Sequence, residues 1–480
     1  MNAGGDRDRD TICAVSTPPG FGGIAVIRVS GAQAIQHTRA LANFLPHNPE
    51  SHRIYFGELK AFAAKDPVTI DEVLVSVFHQ GRSFTGEETI EISCHGSPAI
   101  TQWILQELIA QGCRPADRGE FSYRAFMNGK IDLIQAEGIL QLVESQSKIS
   151  AKQGLRQLQG GLSDQFQKIE ADIIWVMANI EASIDFSTED LDVINRAEMI
   201  ARLVQAEQQL QGLAASYEKG RLLVSGLKIV LSGLPNVGKS SLFNFLLGES
   251  RAIVTDLPGT TRDLVEAALL IDGIRINMVD TAGIRDSQDP IERIGIEKTK
   301  QSQVLADLNF FIFDVNAGLG LEDLEILKHL PRKNLYLFGN KIDQRLGMTE
   351  ALHASVRKSL MDGKIFINSD ALESFMNERV FFISTFMDKY RESVKELVSQ
   401  HLQASAFEDT ALLSQARHFD NVTRALKRVS QAKLALQQSM DAEFVALDLK
   451  EALMAVQETL GKRFDDQVMD LVFRQFCIGK

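Results

Sequence analysis

Residues Gly233 to Ser241 read GLPNVGKSS, a Gly-x-x-x-x-Gly-Lys-Ser run near the middle of a 480-residue chain. The apolar run Leu227 to Leu231 ahead of it has the character of a strand, and Ser240 to Leu247 behind it that of a helix. A glycine-rich turn between strand and helix lines up backbone N–H groups around a phosphate chain, at the positive end of the helix dipole. Gly233 and Gly238 permit the close approach that a side chain would block. In such a loop, Lys239 reaches the β- and γ-phosphates as a point charge and the Ser240 hydroxyl ligates Mg2+. Asn236, Val237, Gly238 and Ser241 complete the cradle for a nucleotide.

More residues of the same chemistry follow in order. VTDLPGTTRD spans Val254 to Asp263. Two apolar runs joined by Asp272 and Gly273 then carry a strong hairpin signal. The second run ends in VDTAG, where Asp280 at a strand end is suited to hold Mg2+ through water, and the Gly283 N–H, after Thr281 and Ala282, to meet a γ-phosphate. LNFFIFDV and NLYLFGNKID have the character of buried strands. The second of these supplies Asn340, Lys341 and Asp343, which choose the base. A carboxylate at Asp343 accepts two hydrogen bonds from guanine N1 and N2, a donor pair that adenine lacks. The ordered set GLPNVGKS, GTT, DTAG and NKID resembles the GTPase family of phosphate-loop proteins. Where many small GTPases carry the glutamine that orients the attacking water, this chain has Ile284. Glu292, a little further on, is either a substitute or an ordinary solvated carboxylate.

The length implies about three domains. The composition, 45% hydrophobic and 24% charged, is that of a soluble globular protein. The polar N-terminus and the absence of a long apolar run predict a cytoplasmic protein with no membrane segment. Cys13, Cys94, Cys113 and Cys477 are scattered, giving neither a disulfide framework nor a zinc motif. A net charge of -12 argues against indiscriminate coating of nucleic acid. Strand-like runs mixed with turns and with helical segments at Gln33 to Leu45 and Ala99 to Gln111 predict an N-terminal α+β domain over 1–120. Long helices follow: Leu162, Phe166, Ile169, Ile173, Val176, Ile180 and Ile184 make one stripe, and Phe419, Val422, Leu426, Val429, Ala432 and Leu436 another. Helical blocks at 121–220 and 403–480, flanking a nucleotide-binding segment at 221–402, suggest one helical domain interrupted by an inserted Ras-like α/β GTPase domain.

At this point the resemblance extends to the whole chain. DTICAVSTPPGFGGIAVIRVSG, SFTGEETIEISCHGSP, GEFSYRAFMNGKIDLIQAE, the guanine-nucleotide motifs and the terminal FCIGK resemble the MnmE (TrmE) family of bacterial tRNA-modification GTPases. The resemblance implies a homodimer formed through a folate-binding-like N-terminal domain, and a flavoprotein partner, MnmG, contributing FAD and NADH. It implies that the pair modifies the wobble uridine of certain tRNAs at C5, forming a carboxymethylaminomethyl group with a one-carbon unit from 5,10-methylene- or 5-formyl-tetrahydrofolate. GTP hydrolysis would drive conformational change.

The same resemblance assigns the nucleotide loop Thr255, Asp256, Leu257, Pro258, Gly259, Thr260 and Thr261, with Thr261 completing the Mg2+ shell beside Ser240. It assigns K+ to Asn236, Thr255, Leu257 and Thr260, and makes Glu292 the residue that orients the catalytic water. It gives folate to Arg28, Glu91, Lys130 and Lys480, and makes Cys477 a functional thiol; the residue type alone fits a buried small hydrophobe equally well. Two positions depart from the family pattern. Ser384, Thr385 and Phe386 stand at the loop behind the guanine, where Ser-Ala-Lys or Ser-Ala-Arg is usual, and Phe21 stands where Arg is common. Two other classes fit the same residues: a guanine-nucleotide switch acting as an RNA-binding module, and a folate enzyme in which GTP is structural.

Overall fold

The computed structural model describes residues 10–61, 68–185, 196–248, 265–280, 302–345, 347–366, 368–403, 411–463 and 466–480. The chain divides into two compact units, 1–144 with 153–216 and 410–480, and 145–152 with 217–409.

The first unit contains a six-stranded sheet in the order β3-β4-β5-β2-β1-β6. Its strands are β1 Ile12–Val15, β2 Gly22–Ser30, β3 Arg53–Ala61, β4 Val68–Phe78, β5 Thr89–Gly96 and β6 Arg114–Pro115. Alternation decides its faces. Ala25, Ile27 and Val29 of β2 join Ile90, Ile92, Ile104 and Leu108 in the buried core. Arg28 therefore stands on the opposite face, in register with Glu91. The first helix spans Ala34–Leu41 and stops short of the expected Leu45. Ala42 has already left helical geometry at φ -115 and ψ 73, and Pro46 beyond it has no N–H to continue the ladder.

The helical part of this unit behaves as its apolar stripes predict. On the helix Ser163–Asp185, Phe166, Ile169, Ile173 and Val176 are fully buried. Ile184 is 36% exposed, because the stripe outlasts its covering near the helix end. That helix packs against Ala442–Leu460, which also packs on Ala416–Gln437, so the helical segments before and after the phosphate loop share one core. A polar triad with two fully or nearly fully buried members, Glu137 and His418, lies in this unit. Arg417 donates to Glu137 Oε1 at 2.8 Å, and His418 Nε2 lies 2.7 Å from Glu137 Oε2. Burial pushes the Glu137 carboxyl up, but His418 and Arg417 outweigh it and hold the group below the ordinary carboxylate range.

The depressed value means that this stabilisation is present above the usual carboxylate range and is lost as pH falls through the folded-state value. Removing the carboxylate leaves the fully buried His418 and the half-buried Arg417 without their shared partner. Glu137→Ala is therefore expected to destabilise the protein by about 3 kcal/mol in urea unfolding at neutral pH. An unchanged midpoint would rule out a stabilising role for the triad.

The second unit contains six strands: β7 Leu227–Ser232, β8 Val265–Ile271, β9 Ile274–Asp280, β10 Leu308–Asp314, β11 Leu335–Asn340 and β12 Val380–Phe382. Their order is β12-β11-β10-β7-β9-β8, parallel except for the β8–β9 hairpin. Asp272 and Gly273 turn that hairpin with φ 51 and 77, the left-handed pair that a two-residue turn of this kind requires. Because β9 and β10 flank β7 on opposite sides, the chain reverses direction of progress there. In sheets of this kind, ligands bind at the carboxyl ends of the strands on either side of such a reversal. Phe310, Phe311, Phe313 and Phe338 are buried within the sheet layers and fix it. Among the described residues, no helix is long and apolar enough to cross a membrane.

Candidate functional site

The expected nucleotide-binding residues gather at the ends of β7, β9, β10 and β11. Beyond β7 the backbone turns through Gly233 at φ 138, Asn236 at φ 63 and Gly238 at φ 104 before the helix Lys239–Leu247 begins. Two close approaches explain the glycines. A Cβ on Gly233 would stand 2.1 Å from the Ile312 carbonyl oxygen, and one on Gly238 would stand 2.1 Å from Asn340 Nδ2. Asn340, almost fully buried, uses that space to donate from Nδ2 to the Val237 carbonyl at 3.0 Å. The side chain that closes β11 thus holds the loop that leaves β7.

Lys239 is buried and donates to the carbonyls of Gly233 and Leu234, both at 2.8 Å. Burial lowers its pKa, with Asp280 opposing that shift. Ser240 Oγ donates to Asp280 Oδ2 at 2.7 Å, bringing a hydroxyl and a carboxylate together at the start of the helix. These are hard oxygen donors of the kind that Mg2+ takes, so the pair fits that ion. Asn236 is exposed on the loop and offers an amide oxygen of the same hard class.

The base-reading side is built on β11 and the short 3-10 turn Ile342–Arg345. Asp343 Oδ1 is buried and has no hydrogen-bond partner among the described residues. An acceptor left in that condition fits the paired N–H donors of a guanine edge. Lys341, with φ 68, sends Nζ to Asp314 Oδ2 at 2.7 Å and to the Asn236 carbonyl at 3.2 Å. Burial pushes the Asp314 carboxyl up, yet Lys341 and the Asn316 amide together hold it below its ordinary value. Ser384 is fully buried; its hydroxyl accepts from the Phe386 N–H at 3.3 Å, and the Thr385 N–H reaches Asn340 Oδ1 at 3.4 Å. The atypical Ser-Thr-Phe sequence thus still forms a loop tied to Asn340 through its backbone, and it leaves the Phe386 ring 83% exposed.

Thr255 to Thr261, Thr281 to Gly283, Ile284 and Glu292 lie outside the described residues. Of the four positions expected to hold K+, only Asn236 is described, and of the expected Mg2+ ligands only Ser240.

A second cluster lies on the sheet of the first unit. Arg28 donates from Nε and Nη2 to Glu91 Oε1 at 3.0 and 2.8 Å. Its guanidinium lies 5.6 Å from the Phe84 ring centre and 5.5 Å from that of Phe121. Lys130 Nζ donates to the Gly81 carbonyl at 3.0 Å, and Asn128 Nδ2 to that of Thr85 at 2.8 Å, which clamps the loop carrying Phe84. The chain terminus returns to this sheet: Ser16 Oγ donates to the Gly479 carbonyl at 3.0 Å, and Ile478 pairs with Arg118. Lys480 and Cys477 line a cavity of about 810 Å3 together with Ser16, Pro18, Arg118 and Phe476. Burial lowers the Lys480 pKa; Cys477 opposes that shift and Arg28 adds to it. Cys477 is exposed, so the reading of it as a buried hydrophobe is wrong. Arg28, Glu91 and Lys130 do not line the cavity.

A parallel sheet with a glycine-shaped phosphate loop at its switch point and a lone carboxylate at the base position defines a phosphate-loop nucleotide-binding protein. Comparison with known proteins narrows this. Residues 133–477 match the model of the MnmE helical domain, and residues 11–130 match that of the GTP-binding protein TrmE N-terminus. The tRNA modification GTPase MnmE of Bdellovibrio bacteriovorus is 52% identical over 99% of both chains. That of Natranaerobius thermophilus is 38% identical over 98% of this chain and 99% of its own. A solved structure of Aquifex aeolicus Era bound to GDP.AlF4- is 24% identical, covering 42% of this chain and 66% of its own, with TM-score 0.28, a superposition too weak to bear on the fold. The chain belongs to the MnmE (TrmE) family of tRNA-modification GTPases. It is a GTPase that takes part in tRNA modification.

Proposed function

We propose that this chain is the potassium-dependent GTPase half of a two-protein system that builds the 5-carboxymethylaminomethyl group on wobble uridine, position 34, of certain tRNAs. Its partner is the flavoprotein MnmG, which supplies FAD and NADH chemistry. The one-carbon unit comes from 5,10-methylene- or 5-formyl-tetrahydrofolate. The chain acts in the cytoplasm as a homodimer, with 1–120 as folate and dimerisation domain, 121–220 and 403–480 as one helical domain, and 221–402 as the inserted GTPase.

In this reading Asn236 to Ser241 cradle the phosphates, together with Thr255 to Thr261 and Asp280 to Gly283. Ser240 and Thr261 hold Mg2+. Asn236, Thr255, Leu257 and Thr260 hold K+, which supplies fixed positive charge beside the β- and γ-phosphates. Glu292 orients the attacking water. Asn340, Lys341 and Asp343 read the guanine, and Ser384, Thr385 and Phe386 close the pocket behind it. Arg28, Glu91, Lys130 and Lys480 bind the folate, the cations meeting its carboxylates and Glu91 the pterin N–H donors. Cys477 stands beside the one-carbon group.

The observation that carries the reading is the return of the chain terminus to the N-terminal sheet. It brings Lys480 and Cys477 onto one cavity and Lys480 into the electrostatic field of Arg28, 452 positions earlier in the sequence. The test is nucleoside analysis of bulk tRNA from a strain lacking this chain. Loss of the modified wobble uridine, restored by the wild-type chain but not by Arg28→Ala, is expected. Unchanged tRNA in the deletion strain would overturn the proposal and favour the RNA-binding switch.

A further inference from the structure

We propose that Asp314 is a positioning residue for guanine-nucleotide binding, which joins the base-reading motif to the phosphate loop by pinning Lys341 against the Asn236 carbonyl. The proposal rests on the assignment of Lys341 and Asp343 to the guanine pocket.

The geometry is a chain of contacts across three strand ends. Asp314 closes β10 in register with Asn340, which closes β11. Its two carboxylate oxygens are used separately. Oδ1 accepts from the Asn316 backbone N–H at 2.9 Å and from Asn316 Nδ2 at 3.0 Å, which fixes the carboxylate plane. Oδ2 accepts from Lys341 Nζ at 2.7 Å. Asn316 is braced in turn, donating to Gln344 Oε1 at 2.8 Å and accepting from Arg345 Nε at 3.2 Å. The carboxylate is therefore held before Lys341 reaches it.

Two consequences follow for Lys341. A free lysine side chain loses much rotamer entropy when it is ordered. With the ammonium already anchored, its four-carbon stem is a preformed apolar surface beside the base, and ordering adds little to the cost of binding. The second consequence acts on the phosphate loop. The Asn236 carbonyl and the Val237 N–H belong to one planar trans peptide and point in opposite directions. Drawing the carbonyl toward Lys341 at 3.2 Å turns that N–H away from Lys341, as an anion-binding turn requires. Asn236 at φ 63 is one of the few non-glycine residues in the left-handed region, and the lysine contact is one of the bonds that keep it there.

Asp314→Asn keeps the shape and, through its Oδ1, the Asn316 contacts, but it sets an amide NH2 toward the Lys341 ammonium where Oδ2 stood, so the charge-assisted bond to Lys341 is lost. It is expected to raise the Kd for GDP about tenfold. Lys341→Met is expected to weaken GDP binding by at least as much. Since Asp314 acts through Lys341, the double variant should bind no worse than Lys341→Met alone, the non-additivity that a shared path produces. A residue that merely stabilised the fold would instead lower the thermal unfolding midpoint and weaken GDP binding equally in both backgrounds. Wild-type affinity in Asp314→Asn, or losses that multiply in the double variant, would overturn the proposal. If Lys341→Met itself binds GDP normally, the guanine-pocket assignment fails first, and this proposal with it.

Discussion

Asp343→Asn is expected to lose GDP by roughly a hundredfold or more and to gain the xanthine nucleotide in its place. The reason is Asp343, whose buried Oδ1 has no hydrogen-bond partner among the described residues. A carboxylate there accepts from guanine N1–H and from the N2 amine, and hydrogen bonds to charged groups contribute about 1.5–3 kcal/mol each. An amide presents a donor where guanine also has a donor, so one bond is lost and a buried clash of like groups takes its place. Xanthine carries a carbonyl at that position, and the amide donor matches it. Affinities for GDP and XDP measured side by side check the prediction. A variant that lost both equally would have lost its fold rather than its specificity, and one that kept GDP would show that the base lies elsewhere.

The second large effect concerns Asn236. Its left-handed backbone, its contact to Lys341 through the carbonyl and its exposed side chain separate two roles within one residue. The main chain shapes the phosphate loop, while the exposed side chain offers its amide oxygen to the cation proposed beside the phosphates. Asn236→Gly tests that division, because glycine keeps the positive φ without strain and removes the side chain that carries the amide oxygen. GDP affinity should change little. Hydrolysis in potassium should fall by roughly tenfold or more, since charge held at the transferring phosphoryl group is worth far more in the transition state than in the ground state.

Much of this was legible in the sequence because the chemistry is local. GLPNVGKSS, the Asp272-Gly273 turn and the apolar β10 and β11 runs each announce their own geometry, and each forms as its residues require. The helical stripes were equally legible, since a period near 3.6 is a property of a single helix. What escaped was non-local. Arg53–Ala61 carries little strand signal of its own: RIYFGELKA buries only its last few residues, and its pairing with β4 comes from the chain beyond it. The three residues of β12 are too short to show a period and are strand by virtue of their parallel register with β11. Asp314 reads as the polar end of a buried run; only the sheet register, which sets it beside Asn340, reveals its bond to Lys341. The NKID motif marks Asn340 as a base-side residue, but its bond to the Val237 carbonyl and the reason Gly238 must be glycine belong to tertiary packing. The exposure of Cys477 likewise depends on where the terminus docks.

In the proposed function, a monovalent cation held at the phosphate loop switches the GTPase. That switching is tested most directly by the GTP turnover of the full chain in KCl against NaCl at equal ionic strength and saturating Mg2+. Turnover is expected to be roughly tenfold or more faster in KCl, with Asn236→Gly abolishing the difference. Equal turnover of the wild-type chain in the two salts would contradict it.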